Sequence, residues 1–220
     1  MNKYAIVIAG PSGAGKTTVA DRLIEELGTL EMSRSATTRA KRGDGRDNEY
    51  IYLQKDEFLA SIENGDILEH TEYSGNFYGT RKCELQRIWN MNKNPILVLD
   101  YNGVKSLKER LDCDVYAIYV YTALAVARDR LSEREARAGT PERAAEVVAK
   151  RVSENIADYK KLYTMAELFD AYVENEKLDL CIEEVKSCLK KLSNGKEATS
   201  LPDKLRITSA FKRDADTFVR

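Results

Sequence analysis

The residues best suited to chemistry lie near the start of the chain. Gly10-Pro11-Ser12-Gly13-Ala14-Gly15-Lys16-Thr17 follows an apolar run from Tyr4 to Ala9 and precedes Val19, Ala20, Leu23, Ile24 and Leu27, which recur as one face of a helix. Gly-x4-Gly-Lys-Thr between a strand and a helix is the pattern of a phosphate-binding loop. Its glycines let the backbone curl with N–H groups turned inward around phosphate oxygens, and the helix N-terminus adds partial positive charge. Lys16 can reach β- and γ-phosphates, and the Thr17 hydroxyl can ligate a magnesium ion. The alternative is a Gly-rich turn that only joins strand to helix, yet average residue usage gives the pattern to about one chain in a hundred of this length by accident. Motors, switch GTPases, ATPases and small-molecule kinases all use such a loop, so the rest of the chain must decide among them.

Two further regions carry suitable residues. Arg34, Arg39, Lys41, Arg42 and Arg46 face a single acid, Asp44, between positions 33 and 46. They form either a solvated basic stretch or an anion site, for which arginine supplies fixed, two-pronged donors. Arg128, Arg130, Arg134, Arg137 and Arg151 are interleaved with five acids, so several of them must pair along a solvated helix.

The elements that must position these groups follow from apolar periodicity. Tyr4 to Ala9, Ile96 to Leu99 and Val115 to Tyr121 read as continuous buried strands of a parallel sheet, with helical patterns between them and Gly28 as a left-handed helix stop. The class is therefore α/β. Asp100 closes the second strand, either at a ligand crevice or as a helix cap. Arg34 to Thr80 differs in texture, with aromatic-rich segments such as Tyr50 to Leu53, five glycines and a helical pattern from Asp56 to Asn64, and reads as a small β-rich insertion. Thr122 to Arg151 reads as a helical pair broken at Gly139-Thr140-Pro141, and Leu178 to Leu192 as a last amphipathic helix. From Ser193 onward the apolar period fades, and 193–220 is a tail of unassigned fold.

Composition bounds the partners. The 220 residues are 43% apolar, with 35 Lys plus Arg against 36 Asp plus Glu, which excludes collagen, a low-complexity chain and a wholly disordered one. A formal charge of −1 provides no global field for nucleic acid or an anionic membrane. No stretch approaches a membrane span or a secretory signal, so the expected address is cytoplasmic. Four cysteines without a CxxC, beside one histidine, His70, make neither a zinc site nor a disulfide framework.

From about residue 3 to residue 190 the chain resembles the guanylate kinase family. The likeness rests on the phosphate loop, on Ser33 to Arg39 with Arg42 and Tyr50, and on Glu69 followed by Tyr73-Ser74-Gly75-Asn76-Phe77-Tyr78-Gly79-Thr80. Leu99 to Val104, Ala138-Gly139-Thr140 and Tyr172 to Asn175 are weaker likenesses. The resemblance implies a P-loop three-layer fold with a parallel central sheet, a GMP-binding insertion and a helical lid: core 1–32, 81–127 and 152–192, GMP subdomain 33–80, lid 128–151. It implies transfer of the γ-phosphoryl group of ATP to GMP, and to dGMP, in purine nucleotide metabolism. ATP would be held by Gly10, Pro11, Ser12, Gly13, Ala14, Gly15, Lys16, Thr17, Thr18 and Asn175, with Mg²⁺ on Thr17. GMP would be held by Ser35, Arg39, Arg42, Tyr50, Glu69, Tyr78, Thr80 and Asp100, with Lys16, Arg39, Arg130, Arg137 and Arg151 catalytic. Residue chemistry agrees, since a carboxylate such as Glu69 can accept from guanine N1–H and the 2-amino group, a donor pair that adenine lacks. A related kinase for another acceptor, such as a phosphorylated ribose, and a non-catalytic binding module are the rival readings.

Overall fold

Strand β1 (Tyr4–Ala9) leads through the Gly-rich loop into α1 (Lys16–Leu27), as the sequence predicts. Ala5 to Ala9 are buried without a break, as a strand covered on both faces requires. The computed structural model describes residues 3–41, 43, 47–73, 75–137 and 141–218. There follow β2 (Leu30–Met32), β3 (Ser35–Thr37), β4 (Tyr50–Tyr52), α2 (Lys55–Glu63), β5 (Ile67–Tyr73), β6 (Asn76–Arg81) and α3 (Lys82–Asn90). Then come β7 (Asn94–Val98), α4 (Tyr101–Arg110), β8 (Asp114–Tyr121), α5 (Leu124–Ala136), α6 (Pro141–Leu162), β9 (Ala171–Glu174), α7 (Leu178–Ser193) and α8 (Leu201–Thr217). The strands form a five-stranded sheet of order β2-β7-β1-β8-β9 and a four-stranded sheet of order β4-β3-β6-β5. In the first, β2 pairs parallel with β7 and β8 pairs parallel with β9. No described helix is long and apolar enough to cross a membrane.

Contacts divide the chain into two compact units, one of Met1–Val7 and Leu23–Val115, the other of Ile8–Arg22 and Tyr116–Arg220. This division does not follow the expected boundaries at 33, 81, 128 and 152. The expected end of the lid at 151 falls inside α6, which runs unbroken to Leu162.

The first unit contains the four-stranded sheet. β3 pairs parallel with β4 and antiparallel with β6, and β6 pairs antiparallel with β5. Because side chains alternate across a strand, one face of this sheet carries Ala36, Ile51 and Phe77. These close a small core with Leu53, Phe58, Ile62 and Ile67, in which Phe58 stacks on Phe77 at 5.6 Å. Ser35, Thr37, Tyr50, Tyr52, Tyr78 and Thr80 occupy the opposite, polar face by the same registers.

The second unit contains an aromatic core of Tyr119, Tyr159, Phe169, Tyr172 and Phe211. Phe211 belongs to α8, so the tail of unassigned fold is corrected to an ordered helix packed on α6 and β9. Its buried residues, Lys204, Thr208, Phe211 and Ala215, keep strict helical spacing. Two of them are polar, which hides the period from a count of apolar residues. The Lys204 stem can lie along apolar surface, and the Thr208 hydroxyl donates back to the Lys204 carbonyl at 2.8 Å.

Candidate active site

In the second unit the Gly-rich loop and the Arg-rich helices enclose a cavity of about 440 Å³ lined by Ser12, Gly13, Gly15, Lys16, Thr17, Thr18, Arg130, Leu131, Arg134 and Arg151. Gly15 has φ +84°, and a β-carbon there would stand 2.6 Å from the Asn175 amide nitrogen, so glycine is required for both conformation and space. That Asn175 nitrogen donates to the Ala14 carbonyl at 2.8 Å, which ties the loop to the end of β9. Asn155 of α6 ties it again, accepting from the Ser12 N–H at 2.8 Å and donating to the Ser12 carbonyl at 2.9 Å.

The Lys16 ammonium donates to the carbonyls of Gly10 and Pro11, both at 2.9 Å, which leaves one of its three protons for a ligand. Burial first, then the charges of Arg151 and Arg134, lower its pKa to about 8 against the pull of Asp158. Arg151 reaches the Ser12 hydroxyl at 3.4 Å, and its buried Nε has no hydrogen-bond partner. Arg130 donates to the Asn175 carbonyl at 3.0 Å. Arg137, chosen by resemblance, is exposed at the C-cap of α5 and is not among the lining residues, whereas Arg134 is. One turn separates Arg130 from Arg134, about 6 Å of rise.

In the first unit the polar face of the small sheet collects the second group of predicted residues. The Arg39 guanidinium lies 5.1 Å over the Tyr50 ring and donates to the Tyr52 hydroxyl at 3.3 Å, and its buried Nη1 has no partner. Tyr78 meets Tyr50 edge-on at 6.2 Å. Ser35 is half-buried at the start of β3, opposite Tyr50. Arg42 and Ser74 lie outside the described residues, as do Ala138, Gly139 and Thr140.

Glu69 is 6% exposed. One of its oxygens accepts from the Thr80 hydroxyl at 2.6 Å, and the other lies 3.2 Å from the point where Gly103 would carry a β-carbon, so any larger residue at 103 would press on the carboxylate. Burial raises its pKa to about 7, with the Asp100 charge adding to the rise and hydrogen bonds from Thr80 opposing it. Asp100 itself accepts from the Gly103 N–H at 2.8 Å as the N-cap of α4. The cap reading is thus realised. A register shift between Ile67 and Glu69 pairs Ile67 with Arg81 and Glu69 with Thr80. Neighbouring residues of β6 point to opposite faces, so the shift sends Ile67 into the core and Glu69 to the polar face.

The guanylate kinase family model matches residues 2–192. The chain belongs to the guanylate kinase family. Human guanylate kinase is 34% identical over 189 residues, covering 84% of this chain and 91% of the relative. The Lactococcus lactis guanylate kinase is 35% identical over 187 residues, with 84% and 85% covered. The crystal structure of guanylate kinase from Anaplasma phagocytophilum shares the fold, with a TM-score of 0.60 at 24% identity over 96% of each chain.

For this guanylate kinase family member the structure adds residues that sequence reasoning missed. Asn155 lies one turn from Arg151 and Tyr52 two residues from Tyr50 on the same strand face, so helix and strand periods could have found both, while Arg134, which the Arg-rich segment already included, lies one turn from Arg130. No local signal reveals Glu84 of α3. It is 3% exposed and accepts from Arg34 at 3.0 Å on each oxygen and from Arg87 at 2.8 and 2.9 Å. Burial alone would raise its pKa, but these arginines hold it down at about 2. Arg34 is thereby a structural arginine.

Proposed function

We propose that this nucleoside monophosphate kinase takes GMP and dGMP as acceptors and Mg²⁺-ATP as donor, and works in the cytoplasm in purine nucleotide metabolism. The observation that carries the acceptor is Glu69, a buried carboxylate with one oxygen on Thr80 and the other over Gly103. Ionised, it accepts from guanine N1–H and the 2-amino group, with Ser35 and Asp100 beside it. Adenine would leave it buried and unpaired, a mismatch worth several orders of magnitude in kcat/KM. Arg39, Arg42, Tyr50, Tyr78 and Thr80 hold the acceptor phosphate, and the unpartnered Arg39 Nη1 is the donor left for it.

Gly10 to Thr18 cradle the donor phosphates, Asn175 supports the loop, and Lys16 neutralises charge at the β- and γ-oxygens. Arg130, Arg134 and Arg151 stabilise the transferring group, and the unpartnered Arg151 Nε is a donor left for it. Among the described residues no cluster of His, Cys, Asp and Glu could hold a metal unaided. The Thr17 hydroxyl, a hard oxygen lining the cavity, suits Mg²⁺, which keeps several waters and binds mainly through nucleotide phosphates. When bound it would neutralise charge between the terminal phosphates. An ionised acceptor phosphate needs no general base, and the reaction requires that water be excluded, because hydrolysis of ATP competes.

The test is a coupled assay for ADP with GMP, dGMP, AMP, UMP and CMP as acceptors. Turnover with the two guanine nucleotides is expected, and turnover confined to AMP or UMP would overturn the assignment of Glu69.

A further inference from the structure

Helix α8 lies beyond the part of the chain that the family model matches, yet two chains of contact run from it to the phosphate loop. The first begins at Asp214, whose carboxylate accepts from the Leu124 N–H at 3.0 Å. Leu124 opens α5, and the N-cap residue there, Ala123, has no side chain with which to cap it. Asp214 therefore supplies from another helix the acceptor and the negative charge that a helix N-terminus favours. α5 then presents Arg130 and Arg134 to the cavity, and a β-carbon at Gly13 would stand 2.5 Å from the Ala127 carbonyl, so loop and helix backbone touch.

The second chain begins at Phe211, 5% exposed, which stacks on Tyr159 at 4.6 Å and meets Tyr121 edge-on at 4.7 Å. Tyr159 is fully buried and donates its hydroxyl to the Thr122 carbonyl at 2.5 Å, in the joint between β8 and α5. One and two turns back along α6 from Tyr159 are Asn155 and Arg151, the two residues of that helix that hold Ser12.

We propose that α8 is a brace for the phosphoryl-transfer arginines, with Asp214 and Phe211 as positioning residues that act through the α5 N-terminus and through Tyr159. The proposal rests on the kinase reading above. Loss of the brace lets α5 and α6 sample orientations in which Arg130, Arg134 and Arg151 point away from the loop. The cost falls on kcat and on ATP and leaves acceptor binding alone.

The experiment compares Asp214→Ala, Asp214→Asn and Asp216→Ala in the full chain by initial rates. Asp216→Ala, on the same helix as Asp214, serves as control because it removes an exposed ion pair with Lys160 of α6 and leaves the α5 N-terminus and Phe211 untouched. Asp214→Ala is expected to lower kcat about five- to tenfold, the cost of a lost helix cap, to raise KM for ATP severalfold and to leave KM for GMP within about twofold. Asp214→Asn, which keeps the acceptor, is expected to restore kcat to within about twofold. The brace is overturned if Asp214→Ala matches Asp216→Ala, or if Asn fails to rescue, or if KM for GMP rises as much as KM for ATP. Should Asp214→Ala not fold, Phe211→Leu is measured by the same criteria. Amide exchange of residues 124–131 with and without Mg²⁺-ATP separates this proposal from the acceptor assignment. If the starting protein turns over no GMP, the kinase reading fails, and the brace survives only if Asp214→Ala still speeds that exchange in the presence of ATP.

Discussion

The two units solve opposite electrostatic problems. In the unit that contains the Gly-rich loop the central group is a cation, Lys16, whose pKa is lowered to about 8, first by desolvation and then by the charges of Arg151 and Arg134. In the unit that contains the small sheet the buried group is a carboxylate, Glu69, whose pKa burial raises to about 7. In each group desolvation disfavours the charged form, which a complementary ligand would restore, phosphate charge for the lysine and paired N–H donors for the carboxylate. The loop region keeps the Arg151 Nε buried without a partner, and the sheet region keeps the Arg39 Nη1 and the Arg81 Nε so. An unpaired buried donor is costly, and an anion bound beside Arg151 or Arg39 would relieve that cost. The difference lies in what else is read. In the proposed reaction the loop region would read charge through backbone and cations, whereas the sheet region would add a base-reading carboxylate and so carry the specificity.

The strongest way to break this contrast is Lys16→Ala. Loss of a charge donor from a preorganised site is expected to lower kcat by about a thousandfold while the melting temperature changes little. Retained turnover would remove Lys16 from the chemistry. Glu69→Gln is the matching change in the other unit. It exchanges one of the two acceptors for a donor and is expected to raise KM for GMP about a hundredfold, with KM for ATP within about twofold. Equal effects on both substrates would make Glu69 a structural residue and erase the division of labour.

Acidity separates the two regions without mutation. The Glu69 pKa lies above the ordinary carboxylate value, so as pH falls through 7 the protein takes up a proton where acceptance is needed. KM for GMP is expected to rise about tenfold from pH 8 to pH 6, and the Glu69→Gln variant should lack that limb. The Lys16 pKa lies below the ordinary lysine value, so as pH rises through 8 the loop loses its charge, and KM for ATP rises on the alkaline side instead. A pH profile in which both KM values move on the same side would contradict the assignment. The smallest effect tests the reach of the cavity. Arg134→Ala is expected to lower kcat about fivefold and Arg137→Ala to leave it unchanged, measured at saturating ATP and GMP.

How much of this was legible beforehand differs by region for a physical reason. The loop, its strand and its helix are contiguous, and their chemistry needs only neighbours in sequence. Residues 10–17 could therefore be assigned from spacing alone, and the helix start at Lys16 follows. The region around Glu69 and Arg39 is built from pieces far apart. The basic run from Arg34 to Arg46 could not reveal that Arg34 is bound to Glu84, fifty residues away, while Arg39 is held by Tyr50 and Tyr52 and keeps a free nitrogen. In α8 the local signal was present as Ser200-Leu201-Pro202-Asp203, a capping sequence whose Ser200 hydroxyl accepts from the Asp203 N–H. Polar residues at two of its four buried positions concealed the apolar face.

The sequence by itself determined the α/β class, the strand, Gly-rich loop and helix of residues 4–27 and the family, because each is written in short-range pattern. Tertiary structure alone decided which arginine is bound within the fold and which keeps a buried nitrogen unpaired, and it decided the face on which Glu69 lies. A period of two would place Ile67 and Glu69 on the same side of β5. The register shift against β6 places one in the core and the other in the site, and register is set by the partner strand, which no local pattern in β5 contains.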